Sequence, residues 1–580
     1  MFNIYHKRKN IICFLIISLV TLTLIVTASL LFKKINSSNS LIEQNNQPIE
    51  QSHGSLSVGN NLGGITYWST QIPFLDNFKS SKKWVTQCLA KEIGCSGSWV
   101  TNEEEKLDLD EYGWVKSLPA PEDPPEYTRV GTLILREIGR YPAGKYVVLY
   151  DGEGTIEYKF DAKKDEAASK PGRDVINVTP SNAGIYLIIS STDPKKTGNY
   201  IRNIHVVKAE SEKIYKSEIF NPDFIEKIKN FKVVRFMDWM KTNNSEQSEW
   251  ANRPKVKKAS YSYGGGVPLE IMIKLANKLN VEPWFNMPHM ATDKYIINFA
   301  KMVKTNLNPK LKVYVEYSNE VWNRSFDQAR WVEQQAIAEW QNDSNSNYTK
   351  RINWHGKRTA QMCDIWKGIF GKQSERVICV LGSQAANSWT ATEALDCPLW
   401  KESPCQQHGI DAVAIAPYFG GYLGDKKHQR QVQNWTITQL FKEINRGGLV
   451  KDSPRGGAIK EAAKRMKENF KIARERNLPL IAYEGGQHLV GHGGVENNNK
   501  ITNLFITANR DQRMYDAYLN YLNQWKNSGG TLFVNFSDIG RSSKWGSWGV
   551  LEHVDQESSP KYDALMDFIE QNQISNSSVE

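Results

Sequence analysis

LKVYVEYSNEVWN, residues 311–323, decides the fold of this chain. The run is apolar and rich in β-branched residues until it reaches the polar pair Asn319 and Glu320, so it predicts a strand that delivers a carboxylate to its own C-terminal end. In barrels of alternating strands and helices, this end of each strand carries the chemically active side chains. A lone glutamate at a strand end is more often a solvated turn residue, so the interpretation depends on a partner.

The partner is Glu484, which closes a second apolar run in LPLIAYEGGQH, residues 478–488. Gly485 and Gly486 follow it and allow the backbone to turn sharply. Two carboxyl groups at strand ends fit the chemistry of a retaining glycosidase. One is held protonated to donate to the leaving oxygen, and the other is ionised and attacks the sugar carbon. We therefore interpret Glu320 and Glu484 as a candidate catalytic pair.

Strand and helix patterns alternate along most of the chain. The predicted strands are residues 62–68, 232–239, 282–290, 311–320, 376–384, 411–419, 478–488 and 531–539. Helical patterns are predicted at residues 74–92, 267–279, 294–306, 325–370, 458–475, 512–527 and 562–569. Alternation of this kind favours parallel strands, and eight strands favour a closed α/β barrel of the (β/α)8 TIM type.

A different pattern separates the first predicted strand from the second. Residues 112–209 contain short alternating or β-branched runs divided by Gly, Pro and Asp turns, which is typical of an antiparallel β-sandwich. Such an insertion is either a carbohydrate-binding module or a structural brace for the barrel. The predicted barrel then consists of residues 59–111 and 210–570, followed by a disordered tail at residues 571–580.

The N-terminal residues predict attachment to a membrane. Residues 11–32 are uncharged and mostly apolar, long enough to cross a bilayer as a helix, and basic residues flank them on both sides. We expect residues 1–34 to form a cytoplasmic tail and a signal-anchor helix, and residues 35–58 to form a flexible tether. The body is then extracytoplasmic, either periplasmic or extracellular, and it is secreted if the segment is cleaved.

Composition argues against two other classes of protein. The net charge of +10 is spread along the chain, and no nucleic-acid-binding motif organises the basic residues. No His or Cys spacing typical of a metal site is present, so neither a metal nor another cofactor is predicted. Cys88 with Cys95, and Cys397 with Cys405, are close enough in sequence to form disulfides in an oxidising compartment.

The Asn-Glu pair on the fourth strand and the glutamate on the seventh resemble the clan of retaining glycoside hydrolases built on (β/α)8 barrels, which contains many cellulases and mannanases. The resemblance covers the strand pattern from about residue 60 to about residue 568, apart from the insertion, and it assigns no family within the clan. It implies that Glu320 is the acid/base and that Glu484 is the nucleophile.

The resemblance also implies roles for residues at other strand ends. Arg235 on the second strand would support the nucleophile, and Tyr418 on the sixth would hydrogen-bond it and keep it ionised. Asn319 would bind the 2-hydroxyl of the sugar, an interaction that strengthens in the transition state. His289 on the third strand would contact sugar hydroxyls. Arg235 is also compatible with an ordinary internal ion pair, and His289 is also compatible with hydrogen-bonded packing.

Aromatic residues near strand ends are candidates for stacking against sugar rings, Trp68 among them. The eighth strand departs from the pattern of the clan, because Phe536 stands where relatives often place a tryptophan under the reacting sugar. Trp545 and Trp548, in the loop that follows, are the candidates to replace it.

Three functions stay open at this stage. The leading one is a retaining, endo-acting glycoside hydrolase that cleaves a β-linked polysaccharide outside the cytoplasm. The second is a catalytically silent carbohydrate-binding or structural component of an exopolysaccharide system. The third is a transglycosylase, which uses the same covalent intermediate with a sugar in place of water. The expected partners are a polysaccharide or oligosaccharide and, through the N-terminal helix, a membrane, without nucleic acid.

Overall fold

The structure, a computed structural model, describes residues 56–89, 95, 100–119 and 127–577, with side chains up to residue 572. Its strands, in chain order, are β1 (Ser57–Asn61), β2 (Val85–Gln87), β3 (Arg129–Ile134), β4 (Gly144–Asp151), β5 (Gly154–Phe160), β6 (Ala162–Lys164), β7 (Arg173–Val178), β8 (Ile185–Thr192), β9 (Arg202–Lys208), β10 (Val233–Arg235), β11 (Glu282–Met287), β12 (Val313–Tyr317), β13 (Val377–Gly382), β14 (Ala412–Ile415), β15 (Leu480–Ala482) and β16 (Gly530–Asn535).

Eight parallel strands close into a barrel in the order β1, β10, β11, β12, β13, β14, β15, β16. The ring closes because β1 pairs with β10 on one side and with β16 on the other. Apart from the insertion after β1, each strand lies beside the next one along the chain, as in a (β/α)8 barrel. The predicted barrel fold is therefore confirmed, and the C-terminal ends of all eight strands open at the same face.

Helices cover the outside of the barrel between successive strands. They are α1 (Pro222–Ile228), α2 (Leu269–Leu279), α3 (Asp293–Asn306), α4 (Asp327–Glu339), α5 (Asn347–Phe370), α6 (Trp389–Asp396), α7 (Gln429–Val432), α8 (Ile437–Arg446), α9 (Ala458–Glu475), α10 (Asn499–Arg510), α11 (Arg513–Asn527) and α12 (Pro560–Ser577).

Helix α3 shows why these segments are helical. The side chain of Thr292 caps its first turn by accepting a hydrogen bond from the backbone N–H of Tyr295. Its apolar residues recur at helical spacing, so one face is buried against the barrel and the other remains polar. The buried residues are Tyr295, Ile296, Phe299, Ala300 and Val303.

Two four-stranded antiparallel sheets lie in the chain between the first and second barrel strands. Their orders are β2–β3–β8–β5 and β6–β7–β4–β9. Buried side chains of both sheets, such as Ile189 and Val206, belong to the same hydrophobic core as side chains of the barrel. An ion pair of 2.9 Å between Arg140 Nη2 and Asp555 Oδ2 also links the insertion to the loop after β16. The insertion thus packs directly on the barrel.

The first barrel strand is β1, so the prediction of a strand at residues 62–68 is wrong. Leu62 still donates its backbone N–H to the carbonyl of Arg235, but Gly63 and Gly64 then take the chain out of the sheet. The apolar residues of segment 62–68, such as Ile65, are buried in a loop and not in a strand. The last two residues of the predicted tether, 57 and 58, are the first two of β1.

The prediction of a helix at residues 74–92 is also wrong. Residues Asn77–Ser80 form one 3-10 turn, which the side chain of Asp76 caps, and Val85–Gln87 is strand β2. The β-branched Val85 and Thr86 favour the extended conformation, and β2 pairs with β3. The antiparallel sheets therefore begin before residue 112.

The C-terminal helix α12 runs to Ser577, past the start of the tail predicted at residue 571. The side chain of Asn572 explains the extension, because it donates to the carbonyl of Phe568 at 2.7 Å and accepts from Lys526 Nζ at 2.8 Å. Residues 578–580 lie outside the described part of the chain.

Disulfide bonds join Cys88 to Cys95 and Cys397 to Cys405, the two pairs that the sequence spacing suggested. Within the described residues, no helix is long and apolar enough to cross a membrane. The predicted signal anchor of residues 1–34 and the tether up to residue 55 lie outside those residues.

Candidate active site

A fully buried guanidinium organises the C-terminal face of the barrel. Arg235, the last residue of β10, donates from Nη1 to Glu484 Oε1 at 2.9 Å and to Asn61 Oδ1 at 3.1 Å. From Nη2 it donates to Glu316 Oε2 at 2.8 Å and to Asn319 Oδ1 at 3.0 Å. One cation therefore fixes two carboxylates and two amides. Removing one partner from such a buried network typically costs about 3–5 kcal/mol, because it leaves an uncompensated buried charge.

Glu484 follows β15 and is 6% exposed. Its second oxygen, Oε2, accepts a hydrogen bond of 3.0 Å from Tyr418 Oη, so a donor holds each carboxylate oxygen. Burial, together with the like charges of Glu320 and Asp238, raises the pKa of Glu484 to about 8 against the opposing effect of Arg235. The carboxylate is thus fixed in direction, and its charge depends on pH near neutrality.

Glu320 lies in a different environment, after β12. Its Oε1 accepts a hydrogen bond of 2.9 Å from Tyr483 Oη, and its Oε2 accepts one of 3.0 Å from Asn323 Nδ2. Burial raises the pKa of Tyr483 well above its ordinary value, so the phenol stays protonated and donates. Unlike Glu484, Glu320 pairs with no cation in the part of the chain that the structure describes. The two glutamates therefore have separate partners and separate electrostatic surroundings, as differentiated acid and nucleophile roles require.

A cavity of about 530 Å³ opens beside Glu320 at the ends of β12 to β15. Its lining includes Glu320, Trp322, Arg324, Gln384, Tyr418, Tyr422, Arg465, Tyr483 and His488. The mixture of aromatic faces and polar edges is typical of a small-molecule site, and the volume is in the usual range for one. A second cavity of about 500 Å³ lies between the insertion and the barrel and contains neither glutamate.

Five of the predicted site residues are joined by direct hydrogen bonds or share the cavity. They are Arg235, Asn319, Glu320, Tyr418 and Glu484. The amide of Asn319 is already engaged on both sides, because Oδ1 accepts from Arg235 and Nδ2 donates to Asn243 at 3.0 Å. One hydrogen of that amide group remains for a ligand.

His289 is brought to the third strand end but does not line the cavity. The side chain is 3% exposed, and burial lowers its pKa to about 4, so the ring is neutral. Its ring packs edge-on against Trp331 at 5.4 Å, and its backbone carbonyl accepts from Tyr317 Oη. Nδ1 has no hydrogen-bond partner among the described residues. The packing interpretation of His289 fits these contacts better than sugar binding.

The structure places Trp68 and Trp545 outside the cavity lining. Trp68 is 45% exposed and packs edge-on against Tyr67, and Trp545 is 64% exposed beside Lys544. Trp548 is the tryptophan of this loop that reaches the site, with its ring 6.0 Å from that of Tyr418. The loop curls back because Trp548 Nε1 donates to the Trp545 carbonyl at 2.8 Å, a geometry that spacing alone does not reveal.

Sequence reasoning missed three residues of the Arg235 network and its neighbourhood: Glu316, Asn61 and Tyr483. Glu316 is a charged residue inside the β-branched strand β12, which signals a buried ion pair, but no local pattern identifies its partner. Its Oε2 also accepts from Trp284 Nε1 and Asn286 Nδ2. Asn61 was missed because the first strand had been predicted at residues 62–68, which begin just after β1 ends.

No protein-family model matches the chain, and no curated protein matches it. Among solved structures it is similar to a 4-O-alpha-L-rhamnosyl-beta-D-glucuronidase from Fusarium oxysporum 12S, with 12% identity and a TM-score of 0.35 over 60% of this chain and 64% of that one. It is also similar to a GH5-4 broad specificity endoglucanase from Clostridium acetobutylicum, with 11% identity and a TM-score of 0.34 over 59% of this chain and 88% of that one.

A family 5 xyloglucanase from Paenibacillus pabuli shows 10% identity and a TM-score of 0.33 over 60% of this chain and 90% of that one. The chain thus spans less than two thirds of the Fusarium enzyme. All three relatives are glycoside hydrolases by name, but at these values the similarity carries no argument about activity. The class that the structure itself defines is a closed (β/α)8 barrel with two differentiated glutamates at strand ends.

Proposed function

We propose that this protein is a retaining glycoside hydrolase that cleaves a β-linked polysaccharide outside the cytoplasm. The observation that supports this proposal most strongly is the separation of environments between Glu484 and Glu320. Arg235 and Tyr418 each donate to Glu484, whereas Glu320 faces the cavity with only neutral donors on its carboxylate. A nucleophile needs the first environment, and an acid/base that exchanges protons with substrate and water needs the second.

In the proposed first step, a Glu484 oxygen attacks the anomeric carbon while Glu320 protonates the leaving oxygen. The glycosyl-enzyme forms, and the shortened chain departs through the cavity on the Glu320 side. In the second step Glu320, now ionised, removes a proton from water, which attacks the same carbon and releases Glu484. Arg235 stabilises the carboxylate of Glu484 before attack and after release, and it needs no rearrangement because it is already fixed.

The cavity supplies what binding a sugar chain requires. Trp322 and Tyr418 contribute aromatic surface, on which the C–H faces of pyranose rings pack, and Gln384 and Arg324 contribute donors for hydroxyl groups. The cavity is open at the barrel face, which suits an internal segment of a polymer and therefore favours endo action.

Export from the cytoplasm is part of the proposal. The disulfides Cys88–Cys95 and Cys397–Cys405 support it, because such bonds persist in oxidising compartments. The apolar run at residues 11–32, which lies outside the described residues, supports attachment to the membrane with the barrel on the outer side.

We expect kcat/KM for an activated aryl glycoside to rise with pH, with a midpoint near the pKa of about 8 that Glu484 has in the free protein. Because this pKa is raised, the ionised fraction of the nucleophile grows as the pH rises through about 8. An activated leaving group does not need the acid form of Glu320. Initial rates between pH 5 and pH 10 at low substrate concentration test this. A midpoint near 4 to 5 contradicts it.

The stereochemistry of the first product tests the function itself. Proton NMR during hydrolysis of β-linked oligosaccharides by the full-length protein should show the β-anomer of the new reducing end before mutarotation, because two inversions restore the configuration. An α-anomer formed first would show inversion and overturn the mechanism. Binding without turnover across the panel would indicate the silent carbohydrate-binding barrel, and products longer than the substrate would indicate transglycosylation.

A further inference from the structure

One histidine of the cavity lining has no role in the mechanism proposed above. His488 lies four residues after Glu484, in the loop that leaves β15, and it lines the cavity beside Glu320. Its ring centre lies 5.3 Å from that of Tyr418, whose hydroxyl group donates to Glu484 Oε2. His488 therefore lies one side chain away from the nucleophile, in the cavity through which the leaving group departs.

Contacts on both its backbone and its ring hold His488 in one orientation. The backbone N–H donates to the carbonyl of Phe419 at 2.8 Å. The ring packs edge-on against Tyr418, and also against Trp548 with 5.0 Å between ring centres. The ring of His492 stacks on it at 5.2 Å. A side chain fixed in this way presents the same atom to the cavity and loses little conformational freedom when a ligand binds.

The two ring nitrogens of His488 have different surroundings. Nδ1 is buried and has no hydrogen-bond partner among the described residues. It faces Gly421, where an added Cβ atom would lie only 3.2 Å from it. Nε2 also makes no hydrogen bond within the part of the chain that the structure describes, but it keeps accessible surface, in a side chain that lines the cavity. One ring nitrogen is thus enclosed, and the other is open to a ligand.

The ring of His488 is neutral, and its one proton belongs on Nε2. Burial and the neighbouring His492 lower the pKa of His488 to about 4. A buried N–H without an acceptor is tolerated less well than a buried acceptor without a donor, so the enclosed Nδ1 carries no proton. Nε2–H is therefore a donor without a partner among the described residues, and an oxygen atom of a ligand in the cavity would satisfy it.

The surroundings of this donor fit an uncharged oxygen atom. A neutral imidazole supplies one hydrogen and no positive charge, which suits a hydroxyl or a ring oxygen of a sugar. The two arginines of the cavity lining each pair with a glutamate, Arg324 at 2.5 Å and Arg465 at 2.7 Å, so they do not favour an anionic sugar. Within the described residues, His488 and His492 have no third His, Cys, Asp or Glu with which to hold a metal ion.

We propose that His488 binds the first sugar of the leaving chain by donating a hydrogen bond from Nε2–H to an uncharged oxygen of that sugar. This inference rests on the proposed function, in which Glu320 protonates the oxygen that joins this sugar to the rest of the chain. A leaving group that is itself a sugar gains the hydrogen bond, and a simple aryl group does not. His488 thereby favours cleavage within a glycan over cleavage of a glycoside whose leaving group is not a sugar.

The test compares two leaving groups on the same sugar. Full-length protein is assayed with β-1,4-linked tetramers of glucose, mannose or N-acetylglucosamine and with the dinitrophenyl β-glycoside of each sugar, and the sugar with the highest kcat/KM is used for the variants. His488→Phe keeps an aromatic ring against Tyr418 and Trp548 and removes the donor. We expect kcat/KM to fall at least about tenfold for the tetramer and less than about threefold for the aryl glycoside, whose rate also reports that the fold is intact.

Two further variants separate the hydrogen bond from packing. His488→Gln places an amide N–H near the position of Nε2 and should bring kcat/KM for the tetramer back to within about threefold of wild type. His492→Phe is the matched control, because it makes the same change in the ring that stacks on His488 but does not line the cavity, and it should alter neither rate more than about twofold. Equal losses for the two substrates in His488→Phe, or a tetramer loss that His488→Gln does not reverse, overturn the inference.

Binding measurements separate this inference from the proposed function. Titration calorimetry uses the same tetramers with full-length Glu320→Gln, which blocks their turnover, with and without His488→Phe. If wild type cleaves a tetramer and His488→Phe cleaves it equally well, the function stands and the inference fails. If no glycan is cleaved, but His488→Phe weakens tetramer binding at least about tenfold and His492→Phe does not, the sugar contact stands and the hydrolase fails. Absence of both turnover and binding across the panel overturns both.

Discussion

Glu484→Gln is expected to lower kcat/KM by at least about 10⁴-fold toward every substrate, activated or not. The amide cannot form the covalent glycosyl-enzyme, and a good leaving group does not compensate for a missing nucleophile. The substitution keeps the shape of the side chain and leaves Arg235 paired with Glu316, so the barrel mouth should hold its geometry. Steady-state rates with an activated aryl glycoside and with a polysaccharide measure the effect.

Glu282→Gln is the matched control for this experiment. Glu282 is a largely buried glutamate in the barrel, but it begins β11 and therefore lies at the opposite end of the sheet from the site. The same chemical change there should leave kcat/KM within about twofold, because no interaction made in the transition state is altered. Residual activity of Glu484→Gln within tenfold of wild type would remove Glu484 from the role of nucleophile.

The barrel was predictable because most of its strands are buried on both sides and read as continuous apolar runs. β12 and β15 lie in largely apolar stretches, and each stretch is short enough, between its flanking turns, to be told from a helix. β1 was not, because its sequence SVGNN contains one large apolar residue, Val58, and its neighbours in the barrel supply the rest of its packing. Strand β2 was missed for a related reason, since only pairing with β3 makes a three-residue segment a strand.

The residues of the candidate site likewise fall into a group that the sequence predicted and a group that it did not. Arg235 ends its strand, and Tyr418 and Glu484 follow the ends of theirs. The C-terminal ends of parallel strands in a closed barrel lie at one face, so local patterns were enough to bring the three residues together. The hydrogen-bond partners of these residues could not be predicted from the sequence. Glu316 pairs with Arg235 across 81 positions of sequence, and Asn61 pairs with it across 174, and no local pattern encodes contacts of that separation.

Side-chain positions in loops were harder to predict than those in strands. Trp545 and Trp548 belong to one segment with similar surroundings in sequence, and their exposure differs because the loop folds back on itself. Trp548 packs against Tyr418, Phe536 and His488, whereas Trp545 points to solvent. Distinguishing them required the backbone path, which turn residues alone do not specify.

Glu320→Ala is expected to act differently on the two steps of the reaction. Without the general acid, cleavage of an unactivated polysaccharide should fall by about 10²–10⁴-fold. An activated aryl glycoside needs no proton on its leaving group, so it should still form the glycosyl-enzyme on Glu484. That intermediate then accumulates because no base activates water, and pre-steady-state kinetics should show a burst of released aglycone followed by a slow steady rate.

Azide distinguishes this assignment from its reverse. The anion needs no general base, so it should enter the space left by Glu320→Ala, accelerate turnover of the activated substrate and release a β-glycosyl azide, whose configuration NMR determines. Wild type and Glu282→Gln, given the same azide, should form none in detectable amount. An α-glycosyl azide from Glu320→Ala, with the β-product coming instead from Glu484→Ala, would exchange the two roles. In that case Glu320 would be the nucleophile, and azide in Glu320→Ala would attack the sugar directly from the face that the Glu320 carboxylate had occupied.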